Sequence, residues 1–250
     1  MPARPPPAVE RPTGRLYAGT SGFAYPAWAP TFYPAGLPGS ALLGAYSARL
    51  AAVELNNTFY RRPSEAAVQR WLASTPEPFR FCPKAQRGSA WRIWSGQDPS
   101  GSMGWLSDSL RTFGSRLGCV LMAVPPTVRR DDASLLRVLE AWPSDLRLAL
   151  ELPHPSWADD EVHAHLRLHD VALVATDRDG QDEPDLRRIG RCIYLRLRRS
   201  RYSEVDLERW ARRLEPFLGD GLDAFVFFRH DDDGTAALHA ERLAELSSRA

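Results

Sequence analysis

Eight short apolar runs alternate along this chain with longer stretches of helical periodicity, and this alternation admits few folds. The runs lie at residues 16–20, 52–56, 79–84, 119–124, 147–151, 171–175, 192–197 and 224–228. Helical patterns cover residues 39–50, 64–74, 103–117, 132–142, 159–169, 204–218 and 235–248, with a weaker one at 184–189. Strand-helix units of about 30 residues predict parallel strands with right-handed crossovers. Eight such units predict a single (β/α)8 TIM-type barrel.

A doubly wound open sheet is the rival fold. It usually carries a GxGxxG turn after the first strand, whereas residues 19–22 here are Gly-Thr-Ser-Gly. Residues 1–14 contain five prolines and little that could pack, so they are predicted to form a flexible tail. Residues 15–250 are then one barrel domain.

Composition limits the partners and the compartment. The 32 basic and 31 acidic residues nearly cancel, so the net charge does not indicate a nucleic-acid partner, although it leaves one possible. No apolar run approaches the roughly 18 residues of a membrane span, and the proline- and arginine-rich N-terminus is unlike a signal peptide. A cytoplasmic protein is expected.

Cys82, Cys119 and Cys192 lack metal-ligand spacing and are predicted to be reduced core thiols. The sequence does not specify an oligomeric state.

Lysine and asparagine are almost absent. Lys84 is the only lysine, and Asn56 and Asn57 are the only asparagines, in a chain rich in arginine. These residues mark positions where arginine or aspartate would not serve. All three lie at predicted strand ends, where the active sites of barrel enzymes are built.

The predicted strand ends carry an unusual amount of charge. Strand alternation directs Glu54 and Asn56, and likewise Arg196 and Arg198, toward the barrel axis. Glu54, Lys84, Glu151 and Arg196 would then meet at the mouth, either as a structural ion-pair network or around a ligand. Burying a charge costs several kcal/mol of folding free energy. Four charges at a concave mouth therefore favour a ligand site over a purely structural network.

These positions predict a division of roles. Lys84 and Glu151 are the candidate proton-transfer pair, with His154 placed to tune Glu151. The candidate ligand-binding residues are Glu54 and Asn56 as orienting groups, Arg196 and Arg198 as an anion clamp, and the nearby aromatic residues Tyr25 and Trp28.

Two further patterns leave alternatives open. Residues 187–202 contain seven arginines and no acid, which is typical either of a solvated face or of an anion site near the predicted helix start at Ser203. No cofactor is strongly implied. A divalent metal stays an alternative, with Glu151, His154, Asp177 and His230 as its ligands, although Lys84 and Arg196 would repel it.

The sequence resembles the YecE-like family, also called domain of unknown function 72, from Leu16 onward. The resemblance rests on GTSGF at 19–23, VELNNTFYR at 53–61, FRFCPK at 79–84, Glu151 with HPSW at 154–157, and YLRL at 194–197. It implies a (β/α)8 barrel and no particular activity. The chain departs from the family pattern at residues 123–126, 152–155, 196–199 and 229–230, which implies a shifted substrate or a partly decayed site.

The leading functional hypothesis is a barrel protein that binds or acts on a small anionic or phosphorylated, sugar-like ligand at the mouth. As an enzyme it would be a lyase, an isomerase or a hydrolase that uses Lys84 and Glu151. One alternative is a metal-assisted phosphodiesterase, similar to an endonuclease acting on nucleic acid. The other is a non-catalytic nucleic-acid-binding module.

Overall fold

The computed structural model describes residues 13–248. Its eight strands are β1 (Leu16–Ser21), β2 (Ala52–Leu55), β3 (Arg80–Pro83), β4 (Val120–Ala123), β5 (Leu148–Glu151), β6 (Ala172–Asp177), β7 (Cys192–Leu197) and β8 (Asp223–Phe228). Its helices are α1 (Leu42–Ser47), α2 (Glu65–Ala73), α3 (Arg87–Ser95), α4 (Pro99–Arg111), α5 (Asp132–Ala141), α6 (Asp160–Leu168), α7 (Glu204–Gly219) and α8 (Thr235–Ser247).

All strands are parallel and pair in the order β3-β2-β1-β8-β7-β6-β5-β4. Single bridges from Phe81 to Leu117 and from Lys84 to Leu121 join the two edges of the sheet. The result is a nearly closed barrel with helices packed around it. The predicted (β/α)8 TIM-type barrel is confirmed, and each predicted strand lies within two residues of an observed one.

The helices correct three predictions. The weak helix at 184–189 is wrong: β6 and β7 are joined without a helix, because this segment is tied to α7. Glu183 accepts hydrogen bonds from Arg209 and Arg213, and the Pro184 carbonyl accepts another from Arg213. Helix α3 was not predicted at all. The helical patterns at 39–50 and 103–117 correspond to the shorter α1 and the earlier α4, each beside a separate 3₁₀ turn.

The barrel axis is filled by inward-facing side chains of all eight strands, in agreement with the predicted alternation. They include Cys82 and Tyr194, while Val53, Leu55 and Leu195 pack outward against the helices. The three cysteines are free and buried in this interior, as predicted. The Cys119 and Cys192 sulfurs lie 3.7 Å apart.

A capping box stands at the start of α7, where the sequence predicted a helix start at Ser203. Ser203 Oγ accepts a hydrogen bond from the backbone N–H of Asp206 at 3.2 Å, and the Asp206 carboxylate accepts one from the Ser203 N–H at 2.8 Å. Ser203→Ala should lower the free energy of unfolding by about 1 kcal/mol, because the helix loses one of these caps. Urea denaturation measures this change in the free energy of unfolding. Thr127→Ala, at an exposed position, is the control, and an equal loss in both variants would contradict the assignment.

The predicted tail, residues 1–14, lies mostly outside the described range. Among the helices of residues 13–248, none combines the length and the apolar character that a membrane span requires.

Candidate functional site

Arg196, near the end of β7, lies at the centre of the mouth between two carboxylates. Its Nη1 donates to Glu151 Oε2 at 2.7 Å and its Nη2 donates to Glu54 Oε1 at 2.9 Å. All three side chains are buried. Burial alone would raise the pKa of Glu54, but Arg196 and Arg198 outweigh it and hold that pKa below its ordinary value. The two carboxylates in turn hold the pKa of Arg196 above its ordinary value, against the effect of burial.

Glu54 accepts hydrogen bonds from side chains of two strands, β1 and β7. Ser21 Oγ donates to Glu54 Oε1 at 2.7 Å, and the Tyr194 hydroxyl donates to Oε2 at 2.9 Å. Arg198 Nη1 donates to Ser21 Oγ at 2.8 Å, which extends the network from β1 back to β7. Parallel alternation aims Glu54, Tyr194 and Arg196 at the axis, so this arrangement follows from the barrel register.

Glu151, the last residue of β5, is held on its other oxygen as well. Thr176 Oγ1 donates to Glu151 Oε1 at 3.1 Å, and the half-exposed Arg178 lies 3.6 Å from the same oxygen. With Arg196 on Oε2, the carboxylate has donors on both oxygens. Its orientation at the edge of the mouth is therefore fixed by neighbouring side chains.

Lys84 is a cation without an anionic partner. Its ammonium lies 4.4 Å from the centroid of the Phe59 ring, and it makes no ion pair or side-chain hydrogen bond with any residue in 13–248. The side chain is partly buried. Burial, followed by the charge of Arg196, lowers the pKa of Lys84, although Glu151 and Glu54 act in the opposite direction. Glu54, Glu151 and Arg196 are thus in direct contact, and Lys84 lies close enough for their charges to act on its pKa.

The predicted aromatic contacts divide into two environments. Tyr25 is half-buried beside the mouth, where its hydroxyl donates to the Ser21 carbonyl at 3.2 Å and its ring stacks on His230. Burial raises the pKa of Tyr25, and the charge of Arg198 opposes that shift. Trp28 is fully buried and donates to the Asp231 carbonyl, so its indole offers no surface to a ligand. Asn56 follows β2 and is partly exposed.

The structure does not bring His154 to Glu151. The ring of His154 turns back on its own loop, where Nδ1 accepts a hydrogen bond from the Ser156 N–H at 3.1 Å. Asp177 is bound by Arg199 and Tyr202, and His230 packs on Tyr25. Within residues 13–248, no three histidine, cysteine, aspartate or glutamate residues are grouped so as to hold a metal. The four residues considered as metal ligands do not converge.

The arginines of residues 187–202 are mostly neutralised by the protein itself. Arg188 pairs with Asp220 at 2.7 Å, Arg199 pairs with Asp177 at 2.8 Å, and Arg191 lies 4.0 Å from the Asp170 carboxylate. The N-terminus of α7 is occupied by the carboxylate of Asp206. An external anion at that helix start would have to displace this cap.

Three contributors were given no role in the sequence prediction: Ser21, Thr176 and Arg178. Ser21 and Thr176 could have been found from their places at strand ends. Arg178 lies on a loop beyond β6, and no strand periodicity points its side chain toward Glu151.

Comparison with known proteins agrees with this architecture. The model of the family described as "Protein of unknown function DUF72" matches residues 17–250. The UPF0759 protein YunF of Bacillus subtilis is 25% identical, over 86% of this chain and 90% of that protein. The crystal structure of a DUF72 family protein from Thermotoga maritima is 26% identical with a TM-score of 0.81, covering 94% of this chain and 99% of that one.

A DUF72 family protein from Enterococcus faecalis shares the fold at 17% identity, with a TM-score of 0.76 over 94% of this chain and 95% of that one. The resemblance first seen in the strand-end motifs is confirmed by a match that begins in β1 and includes all eight strands. This chain belongs to the DUF72 family.

Proposed function

We propose that this protein binds a small phosphorylated or carboxylate-bearing ligand at the mouth of the barrel and transfers a proton there. The observation that carries the proposal is the unpaired ammonium of Lys84, next to an Arg196 whose charge is already shared by Glu54 and Glu151. A partly buried cation without an anion leaves part of its desolvation cost uncompensated. A ligand anion would supply that compensation.

Arg198 is the second candidate ligand-facing cation. Its Nη1 donates a hydrogen bond to Ser21 Oγ. The positive charges of Arg196 and Arg229 lie near enough to repel its own. Burial and then the charge of Arg196 lower its pKa, while the two glutamates oppose that shift. In this arrangement Lys84 and Arg198 contact the ligand, while Arg196 bonds Glu54 and Glu151. Arg196 holds the two carboxylates in place and keeps the pKa of Glu54 below its ordinary value.

The same arrangement suggests the proton chemistry. A lysine with a lowered pKa releases its proton more readily than an exposed lysine, so Lys84 can serve as an acid or, once neutral, as a base or imine-forming nucleophile. Glu151, with donors on both oxygens, is positioned to exchange a proton with the ligand or to stabilise positive charge on it. This pair fits a lyase, an isomerase or a hydrolase.

The proposal is tested by thermal unfolding of the full chain with inorganic phosphate, a sugar phosphate and the neutral parent sugar. A ligand at a hundred times its Kd stabilises a protein by about 2.7 kcal/mol, which raises Tm by roughly 5–10 °C in a chain of this size. We expect both phosphates to raise Tm and the neutral sugar to leave it unchanged. Equal Tm values in all three solutions would overturn the proposal.

The single lysine allows its pKa to be measured directly. Reductive methylation with ¹³C-formaldehyde keeps the charge and labels only Lys84 and the α-amino group. We expect the Lys84 resonance to titrate below the ordinary value of 10.5, and bound phosphate to raise that pKa because it adds negative charge beside the ammonium. A titration at the ordinary value, unmoved by phosphate, would contradict the assigned environment.

The same shift has a consequence for folding. Because the folded protein binds this proton less tightly than the unfolded chain, protonated Lys84 destabilises the fold at every pH below its folded pKa. Its contribution to the free energy of unfolding rises as pH increases from the folded pKa toward the unfolded value.

A further inference from the structure

An apolar pocket of about 380 Å³ opens beside the mouth, between α3 and the end of β4. Its walls are formed by Phe59, Ala90, Trp91, Trp94, Met122 and Val124. The lining is almost entirely carbon. The volume falls in the range of small-molecule sites, which are typically apolar with a few polar groups at one end.

The back of the pocket is held rigidly by its neighbours. Trp94 is buried and packs edge-on against Trp157, with ring centroids 5.6 Å apart, and its carbonyl accepts a hydrogen bond from Arg137 at 2.6 Å. The Trp157 indole donates to the Val128 carbonyl at 3.0 Å. A preformed wall of this kind costs little ordering free energy when a ligand binds.

Phe59 connects the pocket to the anion site. One side chain both lines the pocket and lies under the ammonium of Lys84, at 4.4 Å from ring centroid to Nζ. Arg87 and Trp91 form the outer rim, and Trp91 is 46% exposed, which is high for so large an apolar side chain. A molecule with its anionic group at Lys84 would therefore have an apolar surface directly beside it.

We propose that this pocket holds the apolar, preferably aromatic, part of the same ligand whose anionic group is bound at Lys84. The inference rests on the proposed function and narrows its ligand class to amphipathic anions, such as aryl phosphates or aryl carboxylates. A fully polar sugar phosphate would leave these walls wet, and an apolar ring would exclude that water. Phe59 would contact both halves of the ligand.

The test is isothermal titration of the full chain with three probes: inorganic phosphate, 2-naphthyl phosphate and neutral 2-naphthol. We expect 2-naphthyl phosphate to bind at least about tenfold more tightly than phosphate, the scale of burying a ring in an apolar site. Ala90→Phe fills the pocket and should remove most of that advantage. Ala66→Phe, on an exposed face of α2, is the matched control and should keep both affinities at wild-type values.

Trp91→Ala provides a second variant if Ala90→Phe does not fold, because it removes a half-exposed ring from the rim. It should weaken 2-naphthyl phosphate severalfold without a matching loss for phosphate. Equal binding of phosphate and 2-naphthyl phosphate to the wild type would overturn the inference and leave the proposed function standing.

Failure of the proposed function gives a different result. In that case phosphate does not bind, and 2-naphthol binds as well as 2-naphthyl phosphate, so the pocket accepts rings without any help from the anion site. If none of the three probes binds, both the pocket assignment and the proposed function are wrong.

Discussion

Arg196→Met should lower the free energy of unfolding by about 3–5 kcal/mol at pH 7, the usual cost of leaving a buried charge without its partner. Among residues 13–248, the guanidinium is the one group that bonds both Glu54 and Glu151, at 2.9 and 2.7 Å. Without it, two negative charges face each other in a buried mouth. Urea denaturation at pH 7 measures the loss.

The loss should shrink as pH falls. In the wild type the lowered pKa of Glu54 contributes stability above the unfolded value of 4.5, and that stability is lost as pH falls through the folded pKa. In the variant, the effect of burial dominates and raises the pKa of Glu54. Protonation of Glu54 then removes its buried negative charge, which stabilises the variant. The two denaturation curves should therefore move closer together at pH 5.

A triple variant separates charge from packing. Adding Glu54→Gln and Glu151→Gln to Arg196→Met removes all three charges and should recover a large part of the lost stability, because neutral groups in a buried site avoid the desolvation cost. If Arg196→Met alone lowers the free energy of unfolding by less than about 1 kcal/mol, the ion pairs do not maintain this site.

Lys84→Met should weaken phosphate binding by about 100-fold, on the scale of losing one charge-assisted contact in a partly desolvated site. The unliganded variant should also unfold at a Tm about 2–4 °C higher than the wild type, because an unpaired cation is removed from the mouth. Gain of stability with loss of binding is the signature of a functional charge. Calorimetric titration and thermal unfolding measure the two effects.

Arg80→Met is the matched control, since it removes a positive charge from the same strand at the opposite end of the barrel. It should bind phosphate as the wild type does. Lys84→Arg separates two roles of Lys84, because arginine keeps the positive charge but does not release a proton near neutral pH. Binding that survives Lys84→Met intact would exclude this lysine from the site.

Much of the site could be predicted from local pattern. The strand runs and their period of two placed Glu54 and Arg196 on the axis, and parallel strands bring their carboxyl ends to one face. The rarity of lysine singled out Lys84, and the structure leaves that ammonium unpaired within residues 13–248. For these residues the backbone repeat determines where the side chain points.

Other features had no local signal. Helix α3 is capped by Gln86, whose side-chain oxygen accepts a hydrogen bond from the Ser89 N–H, and it contains Gly88. It therefore lacks both a usual capping residue and high helix propensity. The reverse error occurred at 184–189, where a helical pattern is overridden by ion pairs between Glu183 and α7. His154 likewise faces its own loop because Ser156 bonds it.

The strand count, the alternation of strand and helix, and the group of charges at the mouth all follow from local repeats of two and about 3.6 residues, so they can be predicted from the amino-acid order. Which charges neutralise one another depends on the folded arrangement. Arg196 is shared by two carboxylates, Lys84 is paired with none in the described part of the chain, and an apolar pocket lies beside Lys84 behind Phe59. Those outcomes depend on distances between strands far apart in the chain, and electrostatic and packing energies change steeply over a few ångströms.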